Sequence, residues 1–153
     1  MTTEHQDAAL GCGDGEVGLV VVTHGCACGD LVAAAEAIVG GLPDVVSVPT
    51  DPREDPLAIQ QRVSAAVAAA DRGQGVLILT DLHGSTPANA CIAQLGRRNV
   101  EVLFGINLPM LIKLSTCDRR SLGPQQLGEL LRDTGRRSIR LGSEMLAPTG
   151  PVK

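Results

Sequence analysis

Residues 17–25, "VGLVVVTHG", decide the fold of this chain. From Val17 to Thr23 the run is rich in valine and contains no charged side chain. A strand with one face in water would alternate apolar and polar residues, so an unbroken run predicts a strand buried on both faces, as in a parallel sheet. The run stops at His24 and Gly25, and an imidazole therefore follows the carboxyl end of the predicted strand.

Strand-like and helix-like segments alternate along the rest of the chain, which predicts an α/β fold. Short apolar runs predict further strands at residues 45–49, 75–80 and 100–105, and helical patterns occupy residues 30–41, 56–70, 88–96 and 124–135, with a turn and a short helix at 106–115. In the helix at 56–70, Ile59, Val63 and Val67 recur every four residues and mark its buried stripe. Such alternation is typical of an open parallel sheet covered by helices on both faces.

The ends of the chain differ from its centre. Residues 138–141, "SIRL", are a candidate antiparallel C-terminal edge strand. We expect one domain over residues 17–145, preceded by a flexible tail over residues 1–16 and followed by a second tail over residues 146–153.

The composition argues against several classes of function. The net charge is −4 and no basic tract is present, which disfavours binding to nucleic-acid duplexes or to anionic membranes. Phe104 is the only aromatic residue, so the chain lacks the rings on which single-stranded nucleic acids stack. The longest apolar runs are far shorter than a membrane span and the polar start is not a secretory signal, so we expect a cytoplasmic protein without membrane insertion. Its five cysteines are expected to be reduced.

Three of the predicted strands end in residues that can do chemistry. His24 follows the first strand, Asp81 the third and Asn107 the fourth. In an open parallel sheet the carboxyl ends of the strands share one edge, and ligands bind at that edge. We therefore expect His24 and Asp81 to be neighbours, although they are far apart in the sequence.

The loop that follows Asp81 has the features of an anion site. Pro87 suits the first position of a helix, because it needs no hydrogen-bond partner there and its φ is already helical, and Thr86 would then be the N-cap residue. Gly84 and Ser85 lead into this helix start. The N–H groups at the amino end of a helix bind phosphate without Lys or Arg, and neither residue type occurs in this loop. We predict that Gly84, Ser85 and Thr86 bind a phosphoryl group.

Together these residues have the chemistry of phosphoryl transfer through a histidine. A neutral imidazole can attack phosphorus, and Asp81 can accept a hydrogen bond from the other ring nitrogen, which fixes the tautomer and stabilises the charge that develops on the ring. No P-loop lysine motif and no glycine-rich dinucleotide fingerprint occur, so a nucleotide is not the obvious donor. The plainer alternative is that His24 only ends a strand.

Three segments resemble the enzyme IIA domain of the mannose-type (mannose/fructose/sorbose) branch of the bacterial phosphoenolpyruvate:sugar phosphotransferase system (PTS). They are "VVVTHG" (20–25), "GVLILTDLHGSTPANA" (75–90) and "FGINLPMLIKL" (104–114), in the order and spacing of that family, and the resemblance covers residues 17–141. It implies a flavodoxin-like fold. It also implies that His24 accepts a phosphoryl group from the general histidine phosphocarrier protein, that Asp81 supports the histidine and that Thr86 lies beside the phosphoryl group.

The same resemblance predicts partners. The phosphoryl group would pass to a IIB protein or domain, which we expect in a separate chain, and no cofactor is implied. Members of the family are commonly homodimers that exchange a C-terminal strand, which here would lie near residues 138–141. An alternative is a regulatory protein target, whose binding depends on the phosphorylation state of the same histidine.

Two features go beyond the common pattern of the family. One is His83, which lies where members often have an aromatic residue and is a candidate for the rim of the site. Further candidates for the rim are Gly25, Asn107, Pro109 and Met110. The last three could simply form a turn that starts a helix.

The second feature is the pair of cysteines after His24. His24, Cys26 and Cys28 have the ligand types of a zinc or copper site. Their spacing is tighter than that of common zinc knuckles and no fourth ligand is near, so no metal site is predicted.

Overall fold

A computed structural model describes residues 15–97 and 99–146 of the chain. Within these ranges the elements follow in the order β1 (Gly18–His24), α1 (Ala27–Val39), β2 (Val45–Thr50), α2 (Pro56–Ala70), β3 (Val76–Thr80), α3 (Thr86–Ile92), β4 (Val100–Phe104), α4 (Leu108–Leu114), α5 (Pro124–Arg137) and a short 3-10 helix (Gly142–Leu146). The strands are all parallel and lie side by side in the order β2-β1-β3-β4. The predicted α/β fold with an open, flavodoxin-like parallel sheet is confirmed.

Helices cover both faces of the sheet, and β1 shows how the sequence provides for this. Val20 and Val22 point to the face on which α2 and α3 pack, and Leu19 and Val21 point to the face on which α1, α4 and α5 pack. All four side chains are at most 1% exposed. Because both faces need apolar side chains, the run is unbroken rather than alternating. No helix in the described ranges is long and apolar enough to cross a membrane.

Two helix ends differ from the sequence prediction for local reasons. α1 begins at Ala27 rather than at Asp30, because the N–H of Cys28 finds an acceptor in the hydroxyl of Thr23, 2.7 Å away. α3 ends at Ile92 rather than near residue 96. The chain continues as turns, in which the N–H groups of Gln94, Leu95 and Arg97 bond three residues back instead of four.

The predicted edge strand at residues 138–141 does not form. The N–H of Ser138 still bonds to carbonyls of the last turn of α5, and residues 139–141 pair with no strand in the described part of the chain. Ile139 and Leu141 are 77% and 66% exposed. An edge strand needs the free N–H and C=O groups of a neighbouring strand, and this segment does not pair with β4 within one chain.

A buried arginine holds the amino edge of the sheet. Arg119 is 8% exposed; its Nη1 donates to the carbonyl of Val17 over 2.7 Å, and its Nη2 lies 2.7 Å from Oε1 of Glu16. The N–H of Val17 in turn donates to the carbonyl of Arg119 over 3.0 Å. The rest of the predicted N-terminal tail, residues 1–14, and residues 147–153 of the C-terminal tail lie outside the described residues.

The order of the strands fixes the place of a ligand crevice. β2 lies on one side of β1 and β3 on the other, so the direction in which strands are added reverses between β1 and β3. Open α/β sheets form a crevice at the carboxyl edge of such a reversal. His24 ends β1 and Asp81 follows β3, so both residues lie at this crevice.

Candidate active site

His24 and Asp81 are in direct contact at the carboxyl edge, as the shared edge predicts. Nδ1 of His24 lies 3.0 Å from Oδ2 and 3.1 Å from Oδ1 of Asp81. The backbone N–H of His24 also donates to Oδ2 over 2.9 Å. One carboxylate therefore holds both the main chain and the ring of His24, which fixes the orientation of the imidazole as well as its position.

This contact determines which ring nitrogen can react. An ionised carboxylate only accepts hydrogen bonds, so the proton of a neutral imidazole belongs on Nδ1 and the lone pair on Nε2. Within the described part of the chain no protein group hydrogen-bonds to Nε2, and the side chain of His24 is 37% exposed. The histidine therefore presents a nucleophilic nitrogen to solvent.

Asp81 is held in its ionised form. Its partial burial alone would raise the pKa of the carboxyl, but hydrogen bonds from the backbone and the ring of His24 and from the backbone of Leu82 together lower that pKa below its ordinary value. The bond from the N–H of Leu82 to Oδ1 measures 2.8 Å. An anionic Asp81 favours a positive charge on the neighbouring ring.

The ring of His24 borders a cleft of about 220 Å³. Its walls come from the end of β1, the loop between β2 and α2 with the start of α2, and the start of α3. The lining residues are His24, Thr50, Asp51, Pro52, Glu54, Pro56, Ile59, Thr86 and Pro87. The sequence analysis missed the second wall, because "TDPREDP" has the composition of an ordinary turn. The available signal was its position, since these residues follow the carboxyl end of a parallel strand, as His24 and Asp81 do.

The two acidic residues of this wall are paired with arginines. Nε and Nη2 of Arg53 lie 3.0 and 2.7 Å from the two carboxylate oxygens of Asp51, and Nη1 of Arg62 lies 2.7 Å from Oε2 of Glu54. The bonds from Arg53 lower the pKa of Asp51, and bonds from the backbone of Asp51 and from Arg62 lower the pKa of Glu54. Both carboxylates are therefore ionised, and their charges are largely balanced.

The start of α3 differs from the prediction by one residue. Thr86 is the first helical residue, and Ser85 is the N-cap. Ser85 has the extended backbone that an N-cap requires, and its hydroxyl accepts from the N–H of Ala88 over 3.3 Å. The same hydroxyl donates to the carbonyl of Leu82 over 2.9 Å. The prediction that Thr86 is the cap is wrong, because Ser85 already occupies that position.

Of the three residues predicted to bind a phosphoryl group, Thr86 alone lines the cleft beside His24. The hydroxyl proton of Ser85 is directed to a backbone carbonyl in this structure. Gly84 has φ of +82° and makes the turn before the cap, a conformation that favours glycine. A phosphoryl contact from Gly84 or Ser85 stays a prediction.

The predicted rim residues next to the two loops have distinct surroundings. Gly25 has φ of +55° and turns the chain immediately after His24. The ring of His83 packs edge to face against Phe104, with the ring centroids 5.0 Å apart. His83 is exposed and does not line the cleft, so its role in the site stays a prediction.

The alternative that Asn107, Pro109 and Met110 form a turn that starts a helix is confirmed. Asn107 is the N-cap of α4; its Oδ1 accepts from the N–H of Met110 over 3.2 Å, and its Nδ2 donates to the carbonyl of Gly135 over 3.3 Å. Pro109 lies in the first turn of α4. Met110 is 4% exposed and packs in the core. The expectation that Met110 lies on the rim is therefore corrected: the motif joins α4 to α5, and its methionine fills the space that Gly135 leaves.

Residues 18–130 match the family model of the PTS system fructose IIA component, EIIA-man. The chain belongs to this family. The resemblance seen in the sequence is confirmed, and the chain is a mannose-type IIA component of the PTS.

Curated relatives agree with the assignment as a IIA component. The PTS system mannose-specific EIIAB component of Escherichia coli strain K12 is 29% identical over 125 residues, which cover 81% of this chain and 39% of that protein. The component of the same name from Shigella flexneri has the same identity and coverage. The chain thus spans 39% of the length of the curated relatives it matches.

Solved structures of PTS proteins share the fold. The mannose/sorbose-specific IIA subunit from Enterococcus faecalis has a TM-score of 0.75 at 24% identity and covers 83% of this chain and 95% of that one. A PTS permease structure from Klebsiella pneumoniae, described as putative, has a TM-score of 0.70 at 22% identity and covers 95% of this chain and 100% of that one. These likenesses support the flavodoxin-like fold of the IIA component.

The two cysteines that follow His24 in the sequence do not assemble with it into a metal site. Cys28 is 1% exposed and packs in the core, whereas Cys26 is exposed. In residues 15–97 and 99–146, no group of three or more His, Cys, Asp or Glu residues is arranged to hold a metal ion. Burial raises the pKa of the Cys91 thiol to about 12, so this thiol is neutral. The alternative three-residue site at His24, Cys26 and Cys28 is not formed.

Proposed function

We propose that this IIA component carries a phosphoryl group on Nε2 of His24, which it accepts from the histidine phosphocarrier protein and passes to a IIB partner of the PTS. The observation that carries the proposal is the hydrogen bond between Nδ1 of His24 and the Asp81 carboxylate. This bond leaves Nε2 as the ring nitrogen with the lone pair. The exchange needs no cofactor, because donor and acceptor are both imidazole nitrogens.

The transfer follows from the geometry of the pair. Nε2 of His24 attacks the phosphorus of the phosphohistidine on the carrier, and the new N–P bond forms as the carrier's N–P bond breaks. The electron pair of the broken bond returns to the carrier's imidazole. The ring of His24 becomes positively charged, and the adjacent carboxylate of Asp81 stabilises that charge. Transfer to the IIB partner runs through the same steps in the opposite direction.

The start of α3 supports this role as a binding site for the phosphoryl oxygens. The first turn of a helix has N–H groups without intrahelical partners and the positive end of the helix dipole. Here the N–H of Ala88 donates to the hydroxyl of Ser85, and Pro87 has no N–H group. Thr86 lines the cleft, and we expect its N–H and hydroxyl to donate to an anion there.

Intact-mass measurement tests the acceptor. The protein is incubated with phosphoenolpyruvate, enzyme I and the phosphocarrier, and each sample is measured before and after acid treatment. We expect a gain of one phosphoryl group that is lost in acid, as for a phosphoramidate. Addition of a mannose-type IIB protein should then remove the label from the neutral sample.

Single-histidine variants identify the acceptor, because the chain has only three histidines. His24→Ala should not be labelled, whereas His83→Ala and His5→Ala should be labelled as in the wild type. Loss of labelling in His83→Ala with retention in His24→Ala would overturn the assignment.

We also propose that the protein forms a homodimer through residues 139–146. Four apolar side chains of this segment are between 66% and 86% exposed: Ile139, Leu141, Met145 and Leu146. β4 is the last strand of the described sheet, and its outer edge is unpaired there. The family resemblance implies exchange of a strand near residues 138–141, and exchange of this part of the chain with a second copy would cover both the apolar side chains and the strand edge.

A further inference from the structure

We propose that Thr50 is a positioning residue for His24. Thr50 holds the main chain immediately before and after His24. The inference rests on the proposed role of His24 as the phosphoryl acceptor. It concerns the wall of the cleft that the sequence analysis missed.

Thr50 binds the residues immediately before and after His24. It is the last residue of β2 and lies beside His24 in the parallel register. Its hydroxyl donates to the carbonyl of Thr23 over 3.0 Å. Its carbonyl accepts from the N–H of Gly25 over 2.8 Å.

Thr50 and Asp81 hold the end of β1 from opposite sides. Thr50 binds the main chain of Thr23 and Gly25 from β2, and Asp81 binds the N–H of His24 from the loop after β3. Three consecutive residues are therefore anchored where a strand end would otherwise fray. Asp81 sets the orientation of the ring, and Thr50 sets the position of the backbone that bears it.

The burial of Thr50 indicates that its hydroxyl has a specific task. Thr50 is 3% exposed and Thr23 is fully buried. A buried hydroxyl costs free energy unless it is hydrogen-bonded, and valine would fill the same space in a strand without that cost. Thr23, to which Thr50 binds, is also bonded to α1, because its hydroxyl accepts from the N–H of Cys28 in the first turn of that helix.

Two pairs of proteins isolate the hydroxyl. Thr50→Val differs from the wild type by a methyl group in place of the hydroxyl, and Thr50→Ala differs from Thr50→Ser by the absence of the hydroxyl. Thr116→Val is the matched control, because the Thr116 hydroxyl also donates to a backbone carbonyl, 3.1 Å away at the far end of α4. The second pair keeps the comparison available if Thr50→Val does not fold.

Kinetics of phosphoryl transfer from the phosphocarrier provide the first readout. A displacement of about 1 Å at a reacting centre can cost about 100-fold in rate, so a partial loosening of His24 should lower kcat about 10-fold in Thr50→Val and Thr50→Ala. KM for the carrier should stay within about twofold, because the docking surface is unchanged. Thr50→Ser and Thr116→Val should transfer at close to the wild-type rate.

Nitrogen-15 NMR of the His24 ring provides a readout that does not depend on transfer. In the wild type and in Thr50→Ser we expect one tautomer, protonated at Nδ1. In Thr50→Val and Thr50→Ala the hydrogen bond to Asp81 should weaken, and a second tautomer should become populated. A merely structural role of Thr50 would lower the unfolding temperature without changing the tautomer.

The two readouts separate the possible failures. Wild-type tautomer and wild-type kcat in either hydroxyl-deleted variant would overturn the role of Thr50 and leave the proposed function intact. A wild-type protein that accepts no phosphoryl group would overturn the proposed function, and the tautomer measurement would still decide whether Thr50 orients His24. An equal loss of kcat in Thr50→Ser and Thr50→Ala would also overturn the inference, because it would assign the effect to the methyl group.

Discussion

Replacement of Asp81 by asparagine tests the centre of the proposed mechanism. The Asp81 carboxylate accepts from the backbone N–H of His24, from its Nδ1 and from the N–H of Leu82. Asparagine has the same shape but exchanges one acceptor oxygen for an NH₂ donor. When that donor faces the ring, Nδ1 must accept rather than donate, and the proton of the imidazole moves to Nε2. The nucleophilic lone pair is then lost from the nitrogen that faces the carrier.

The size of the effect follows from the strength and exposure of this bond. A hydrogen bond to a charged group contributes about 1.5–3 kcal/mol. The side chains of His24 and Asp81 are 37% and 27% exposed, so solvent screening favours the lower part of this range. A loss of about 1.5–2 kcal/mol corresponds to a transfer rate about 10- to 30-fold lower. The missing stabilisation of the ring charge acts in the same direction.

A single-turnover assay measures this step. Phosphorylated carrier is mixed with excess IIA protein in a rapid-quench instrument, and the label on each protein is followed. Asp71→Asn is the matched control, because the Asp71 carboxylate also accepts from backbone N–H groups, at 2.9 and 3.3 Å, but on the opposite edge of the sheet. Transfer by Asp81→Asn within about twofold of the Asp71→Asn rate would refute the idea that the carboxylate fixes the reactive tautomer.

Three further predictions concern stability and assembly. Because the pKa of Asp81 is lowered in the folded protein, its charge contributes stability above the unfolded pKa of about 3.9, and this contribution is lost as the pH falls through the lower folded value. In urea titrations below about pH 4, the stability advantage of the wild type over Asp81→Asn should therefore shrink as the pH falls. Arg119→Met should lose about 3 kcal/mol of unfolding free energy, because it leaves a buried carbonyl and a carboxylate without their partner. Arg72→Met breaks an exposed pair and should lose less than about 1 kcal/mol. Equal losses in the two variants would contradict the role of burial. In light scattering the wild type should have the mass of a dimer and the double variant Ile139→Ser, Leu141→Ser that of a monomer, and a monomeric wild type would rule out the dimer.

The fold could be predicted because its main signal is local. The apolar run of β1 is unbroken because this strand is buried on both faces. The apolar residues of α2 recur every four positions because this helix is buried along one stripe. Both patterns can be read from consecutive residues of the sequence. The contact between His24 and Asp81 could also be predicted, since parallel strands bring their carboxyl ends to one edge whatever their separation in sequence.

The remaining parts of the site depend on contacts that no local pattern records. The cleft wall at residues 50–56 has the composition of a turn, and its role depends on which strand lies beside β1. Ser85 rather than the predicted Thr86 is the N-cap, because the Ser85 hydroxyl accepts from the N–H of Ala88; two adjacent residues of the sequence have a hydroxyl suited to this position. The bond from Asn107 to the carbonyl of Gly135 could not be predicted, because Gly135 lies on a helix distant in sequence.

The distribution of charge around the cleft favours reversible transfer of a phosphoryl group over tight binding of that group. A carrier must release its phosphoryl group as readily as it receives it, so neither step can be much downhill. A free guanidinium would form short, charge-assisted, bidentate bonds to a phosphoryl group, which are about twice as strong as neutral ones. Two arginines near the cleft, Arg53 and Arg62, are instead bonded to the carboxylates of Asp51 and Glu54, which line it. A phosphoryl group on His24 would therefore form no ion pair with these two arginines, and its transfer to the next protein would not require one to be broken.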